Sequence, residues 1–328
     1  MLNDQGKYIK EILSHGHYDI NDLIFKIYAF QGKNNLHYQK FLTHCNRLCL
    51  DIANLDKLVF FPVTLFKDLY LKTGNWQHET HFLSSGTTGK RSRHLIRNIS
   101  FYHKNCQKIF EHRFGPVANF EFVALLPHYQ DNPQSSLISM VDHFMASSGQ
   151  AAAPYFDPDS DELMNYILSH DRSRPVVLFG VSFGLMEFAQ NNPGINCEGL
   201  TIIETGGMKR FGQEKTREEI YTEIRSCFIG AEIHSEYGMT ECLSQAYTNG
   251  QGRFEMNDRF RVVITEPNDP FSRMKPGQRG RVNIIDLANI DTLSFLATDD
   301  LGIVYEDQSF EILGRMENSD LRGCNYLI

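Results

Sequence analysis

The stretch LTIIETGG at residues 200–207 opens on a nearly unbroken apolar run and closes on paired glycines. VALLP at 123–127 and PVVLFG at 175–180 repeat the form, a few aliphatic residues followed by Gly or Pro. Short continuous apolar runs ending in turn residues suit strands buried on both faces of a sheet. Segments of helical spacing lie between them, 213–228 among them. The middle of the chain therefore reads as alternating strand and helix, an α/β fold.

On either side of this alternation the pattern changes. Over the first ~60 residues Ile9, Ile12 and Leu13, then Ile24, Ile27 and Tyr28, then Phe41, Leu42, Leu48 and Leu50 approximate helical spacing, and the polar QGKNN at 31–35 separates two helices. Past residue 250 come alternating segments, RFRVVIT at 259–265, RGRVNIID at 279–286 and SFEILG at 309–314, split by Pro and Gly turns. The expected organisation is a helical N-terminal segment over 1–60, an α/β core over 61–250, and a β-rich subdomain with a C-terminal tail over 251–328. No internal repeat or long linker interrupts it.

With 41% hydrophobic and 12% aromatic residues over 328 positions, the chain can bury a substantial core, which excludes disorder. A formal net charge of −8 argues against a nucleic-acid partner, because neutralising a phosphate backbone requires a basic surface. No stretch approaches the roughly 20 apolar residues of a membrane helix, and the N-terminus lacks a signal-peptide core, so no membrane insertion and a cytoplasmic location are expected. Seven scattered cysteines without a CxxC pair suggest neither a disulfide framework nor a zinc site.

The segments that carry chemistry are polar. In HFLSSGTTGKRSRHL (81–95), Ser84, Ser85, Gly86, Thr87, Thr88 and Gly89 combine glycines, which let backbone N–H groups approach an anion, with small hydroxyl donors. Lys90, Arg91 and Arg93 follow, adding charge for a polyphosphate. The loop lacks the GxxxxGK[ST] spacing, and a surface turn is the plain alternative. In HSEYGMTECLSQ (234–245), Glu241 can hold Mg²⁺ and Tyr237 can stack on a base; the alternative is a strand end with a solvated acid. In ATDDLG (297–302), Asp300 can accept hydrogen bonds from both ribose hydroxyls, although paired acids before Leu-Gly also suit a turn. In GRMENSDLRGC (314–324), Arg315 and Arg322 can reach a phosphate, and Cys324 lies close to the C-terminus.

Taken in order, these segments resemble the adenylate-forming superfamily, whose members carry a Ser/Thr/Gly loop, a YGxTE stretch, a TGD-like stretch and a GR-containing stretch in this sequence. Within it the chain is similar to the acyl-protein synthetase family of bacterial bioluminescence. The shared features are the SSGTTG loop followed by Ser92, Arg93 and His94, the TGG of Thr205, Gly206 and Gly207, the pattern of Phe30, Gln31, Asn34, Asn35 and Tyr38, and a cysteine near the C-terminus.

The resemblance implies the large N-terminal domain of an adenylate-forming enzyme, built of layered αβ subdomains plus a small β-rich one, and lacking the superfamily's usual C-terminal domain with its catalytic lysine. It implies ATP and Mg²⁺ as cofactors, a carboxylic acid of the long-chain fatty class as substrate, and an acyl-acceptor protein such as a reductase or carrier as partner. Residue by residue, it implies that Ser84 to Gly89 hold the ATP phosphates, Gly206 and Gly207 flank the adenine, and Tyr237, Gly238 and Thr240 line the nucleotide site. Glu241 would hold magnesium, Asp300 the ribose, Arg315 the ribose or phosphate, and Cys324 would accept the acyl group. Because Thr298, Asp299 and Asp300 stand where the family has TGD, either acid is a ribose ligand by sequence. Two other functions fit the same segments: an acyl- or aryl-CoA ligase of the phenylacetate type, and an idle nucleotide-binding scaffold in a lipid biosynthetic complex. Phe120, Phe122, Phe144 and VSFGL at 181–185 line an acid pocket or fill core, core being the simpler reading.

Overall fold

The computed structural model describes residues 9–13, 18–85, 90–126, 132–150, 154–170, 173–192, 194–206, 215–249 and 252–316. The apolar runs are strands of one sheet, ordered Ala246–Tyr247, Glu232–Tyr237, Leu200–Thr205, Val176–Val181, Glu121–Leu125 and Tyr155–Phe156. All neighbours are parallel except the antiparallel edge strand Ala246–Tyr247. Because side chains alternate along a strand, each run feeds two cores. Phe122, Ala124, Val177, Phe179 and Ile203 join the side chains of helices Ile99–Phe114 and Ser136–Ser147 on one face. Val123, Leu125, Leu178 and Ile202 join Leu185, Phe188, Ile220 and Ile224 on the other. That two-sided demand explains why the runs are continuously apolar, with each fully buried Phe or Leu worth ~2 kcal/mol of transfer free energy.

Helix starts follow local chemistry. Asn98 caps Ile99–Phe114 by accepting from the Phe101 N–H, and Gly115 at φ +99° ends it. Thr216 and Glu219 form a reciprocal capping box at Arg217–Cys227, which starts later than the 213–228 pattern suggests.

The second large sheet is antiparallel, ordered Phe254–Glu255, Ser309–Arg315, Phe295–Val304, Arg279–Asp286 and Phe260–Thr265. Phe61–Pro62 adds a short parallel pairing to Phe295–Val304. Helices Ile20–Asn34 and Leu36–His44 cover this sheet, burying Ile24, Ile27, Tyr28, Tyr38 and Leu42 against Phe295 and its neighbours. Tyr38 stacks on Phe295 with ring centroids 6.3 Å apart, and Tyr28 meets the same ring edge-on at 5.3 Å.

The N-terminal region departs from its sequence reading in two places. QGKNN does not separate two helices: the first helix runs through Gln31, Gly32, Lys33 and Asn34, and only Asn35 breaks it. Gln31 and Asn35 are buried because they bond to the distant turn at 289–294. Gln31 Nε2 donates to the Asn289 and Ile290 carbonyls at 3.0 and 3.1 Å, and its Oε1 accepts from the Ser294 N–H at 2.9 Å. Asn35 caps the next helix by accepting from the Tyr38 N–H and donates to the Thr292 carbonyl at 2.9 Å. Residues 45–60 are not helical beyond the short turn Leu55–Lys57, and Leu48 is 47% exposed. Phe122, Phe144 and Leu185 are core, fully buried, while Phe120 is half-buried. Among the described residues, no helix is long and apolar enough to cross a membrane.

Candidate functional site

Three segments from different regions of the fold meet at the C-terminal ends of the parallel strands. The first is the hairpin of Thr80–Leu83 and Arg93–Ile96, which presents the Ser/Thr/Gly loop. Its neck is closed at Ser84, whose N–H donates to the Ser92 carbonyl at 3.1 Å and whose Oγ accepts from the Ser92 N–H at 3.0 Å. Arg91 is committed to this neck, donating to the Ser84 carbonyl and, at 3.1 Å, to Asn132 Oδ1. Lys90 pairs with Asp68 at 2.7 Å on an exposed surface, and the Arg93 guanidinium sits over the Tyr70 ring. Ser85 is exposed at the loop's entry. Gly86, Thr87, Thr88 and Gly89 lie outside the described residues, as do His128, Gly207, Arg322 and Cys324.

The second segment follows strand Glu232–Tyr237. His94, at the base of the hairpin, joins the two. Its Nδ1 lies 2.8 Å from the Thr240 carbonyl, and its Nε2 lies 2.8 Å from Thr292 Oγ1 and 3.1 Å from Asn289 Oδ1. A carbonyl oxygen only accepts, so Nδ1 can donate to Thr240 and Nε2 to Asn289, while the Thr292 hydroxyl, beside Nε2, also contacts Asn289 Oδ1. Burial pushes the imidazole down to about 4, against smaller opposing hydrogen-bond effects, so it is neutral at pH 7. Asn289 Nδ2 donates to the Glu241 carbonyl at 2.7 Å, so the backbone of Thr240 and Glu241 is pinned from both sides. Asp286, buried in the same turn, accepts from the N–H groups of Leu243, Ser244 and Ala288. Together these hold the base of the hairpin and the segment from Thr240 to Ser244 in one neighbourhood. Sequence reading attaches no role to Asn289, Thr292 or Asp286, whose partners in the Glu241–Ser244 segment and at His94 are 42 or more residues away.

The third segment is ATDDLG, which lies within the strand Phe295–Val304 rather than in a turn. Alternation sends the adjacent acids to opposite faces. Asp300 is buried and its Oδ2 accepts from the Tyr237 hydroxyl at 2.7 Å; its Oδ1 lies 3.4 Å from Arg315 Nε on the paired strand. Asp299 is half-buried on the other face, and its carbonyl accepts from the Met316 N–H. Burial, reinforced by the Asp300 carboxylate, holds the Tyr237 phenol well above its ordinary range, so Tyr237 remains the donor. Its ring packs against Phe254, Phe260 and Phe310 at 5.7–6.1 Å, tying the end of the parallel sheet to the antiparallel one.

The backbone leaves the neighbouring strand Leu200–Thr205 at Gly206 with φ +89°, the left-handed region glycine tolerates. Ser182 Oγ lies 2.9 Å from the Gly206 carbonyl and also contacts the Glu204 carboxylate, so this turn is held from the start of helix Ser182–Asn191. Tyr237, Asp300 and Arg315 are thus joined by direct contacts, and the base of the hairpin reaches Thr240 through His94, beyond the carboxyl ends of the parallel strands.

The architecture matches a known fold. The fold is that of the adenylate-forming enzymes. ATP-bound MatB of Rhodopseudomonas palustris is similar with a TM-score of 0.53 at 17% identity, over 72% of this chain and 47% of that one. The o-succinylbenzoate coenzyme A synthetase of Bacillus subtilis in complex with AMP gives 0.52 at 17% identity, over 72% and 49%. The chain spans about half the length of these solved structures. In sequence it is similar to the long-chain-fatty-acid–luciferin-component ligase of Vibrio harveyi, 24% identical over 92% of this chain and 85% of the relative. No protein-family profile matches it. The described residues of this adenylate-forming fold comprise both the layered α/β portion and the β-rich portion expected from sequence.

Proposed function

We propose that the chain activates a carboxylic acid with ATP, forming an acyl-adenylate, and passes the acyl group through Cys324 to a partner protein. The observation that carries the reading is the convergence of Tyr237, Asp300 and Arg315 at the end of the strand paired with Leu200–Thr205, with the base of the hairpin tied to Thr240 by His94. Asp300 would accept from the ribose hydroxyls, with Tyr237 fixing its orientation. Gly206 and Gly207 would flank the adenine, and Tyr237, Gly238 and Thr240 would border the nucleotide. The loop from Ser84 to Gly89 would donate to the phosphates from the neck that Ser84 and Ser92 close.

In the first step a carboxylate oxygen of the acid bonds to the α-phosphorus and the bond to pyrophosphate breaks. The residues named contribute position and charge stabilisation. Glu241, a buried acid in the segment that His94 and Asn289 hold, would be the carboxylate for a divalent cation that prefers one or two carboxylates plus phosphate oxygens. Bound there, Mg²⁺ would supply charge neutralisation on the phosphates. In the second step the Cys324 thiolate bonds to the acyl carbon and AMP leaves, giving a thioester for delivery to an acceptor. Arg322, two positions away in sequence, would favour the thiolate. The name of the Vibrio relative makes a long-chain fatty acid the first substrate to test and an acceptor protein the first partner. The 1–60, 61–250 and 251–328 segments would act as one catalytic unit in the cytoplasm.

The test is acid-dependent exchange of labelled pyrophosphate into ATP across acids of graded length and ring content. Exchange with at least one class is expected. No exchange with any acid overturns the proposal.

A further inference from the structure

The nucleotide-side residues leave one polar cluster unused. Alternation along Glu232–Tyr237 turns Tyr237 toward the antiparallel sheet and Glu236 the other way, toward helix Ile99–Phe114, the side on which His234 meets the Phe114 ring. Glu236 is enclosed by protein strongly enough for burial to raise its carboxyl to about 7, yet it keeps accessible surface. Glu236 Oε2 accepts from Thr205 Oγ1, while Oε1 has no donor among the described residues.

Gln245 stands beside it. A Cβ at Gly238 would collide with Glu236 Oε1 and meet Gln245 Cβ at 3.6 Å, so both side chains flank the same point. Gln245 is 3% exposed. Its Nε2 donates to the Cys106 carbonyl at 3.0 Å and contacts the Tyr247 hydroxyl at 3.3 Å, which fixes the amide orientation. Its Oε1 is buried without any donor among the described residues. A buried acceptor left unsatisfied costs about 1–3 kcal/mol, and the partly accessible Glu236 carboxylate lies on the same face of the sheet end, next to the proposed site of adenylation. The surrounding face is otherwise aromatic and aliphatic.

We propose that Glu236 and Gln245 form a polar anchor on the acyl side of the site, selecting a carboxylic acid that carries a hydroxyl or amino substituent able to donate to them. This inference rests on the adenylation reading and specifies its substrate class. A site built around unmet acceptors discriminates steeply, because an analogue lacking the donor leaves them unpaired, whereas an extra methylene changes little. Glu236 and Gln245 would be specificity determinants; the bond-making residues are elsewhere.

The experiment compares matched acids differing only by the substituent: a saturated fatty acid with its hydroxy and amino analogues, and an aryl acid with its hydroxy and amino analogues. The readouts are pyrophosphate exchange and calorimetric binding of each acid to the full chain. Wild type is expected to prefer a substituted acid by roughly 100-fold or more in kcat/KM. Glu236→Leu should collapse that preference to a few-fold with the KM for ATP unchanged, and Glu236→Gln should retain some of it. If Glu236→Leu does not fold, the wild-type ratio, the binding data and Glu236→Gln still decide. Equal or better use of unsubstituted acids, or a full preference that survives in Glu236→Leu, overturns the inference while leaving adenylation standing. Silence with every acid overturns both.

Discussion

Tyr237 and Asp300 meet across the junction of the two large sheets, the phenol donating to the carboxylate at 2.7 Å. Asp300 is thereby oriented by a residue of the other sheet, so the proposed ribose contact and the join between sheets are one structural event. Asp300→Ala is expected to raise the KM for ATP by about 10- to 100-fold, the cost of losing hydrogen bonds to a charged acceptor, with the KM for the acid nearly unchanged. Asp299→Ala, on the opposite face, should stay within about twofold of wild type, as a half-buried side chain without a ligand contact does. Initial rates under saturating acid check both. Equal effects at the two positions would remove the distinction the strand alternation draws.

His94 gives a pH signature. Its folded value of about 4 lies below the ordinary 6.5, so its contribution to stability is fully present above 6.5 and is lost as pH falls through 6.5 toward 4. The linkage is on the order of 3 kcal/mol. Urea midpoints of wild type and His94→Asn should therefore differ most near pH 7 and converge toward pH 4. A gap that stays constant over this window would show that His94 does not titrate as its burial requires.

The acyl hand-off depends on Cys324. With ATP and an accepted acid, intact mass should show a hydroxylamine-labile adduct of one acyl group that disappears in Cys324→Ser, while acid-dependent exchange is retained within about threefold, since the thiol acts only after adenylation. Formation of free acyl-CoA with no adduct would favour the CoA-ligase reading.

What can be read from sequence follows the range of the interactions. The parallel strands are legible because burial on both faces is written into consecutive apolar residues, as in Val176–Val181. The polar residues of the N-terminal helix mislead because their partners are remote: Gln31 is satisfied by residues 258 and more positions away. His94 shows the same limit within the site. It stands in a family-like SRH segment, but its tie to Thr240 spans 146 positions and no local spacing encodes it. Nor does the sequence choose between Asp299 and Asp300; that choice needs the strand that makes adjacent residues face opposite ways.

Gly302 closes the ATDDLG segment for a reason of close packing. The ladder between Phe295–Val304 and Ser309–Arg315 shifts register between Leu301 and Gly302, and at this irregularity the backbone of the adjoining strand presses in. A Cβ at Gly302 would collide with the Glu311 carbonyl and approach Val282 Cγ2 to 2.7 Å. Neither the backbone oxygen nor a β-branched side chain can yield cheaply, so the strands would have to move apart close to Asp300. Gly302→Ala is expected to destabilise the fold by about 2–4 kcal/mol, as overpacking and backbone conflict do. It should also raise the KM for ATP more than the KM for the acid, because the displacement reaches Asp300 before it reaches Glu236. Denaturant unfolding and steady-state kinetics on the same preparation check both; a neutral Gly302→Ala would mean that the ladder does not need this glycine.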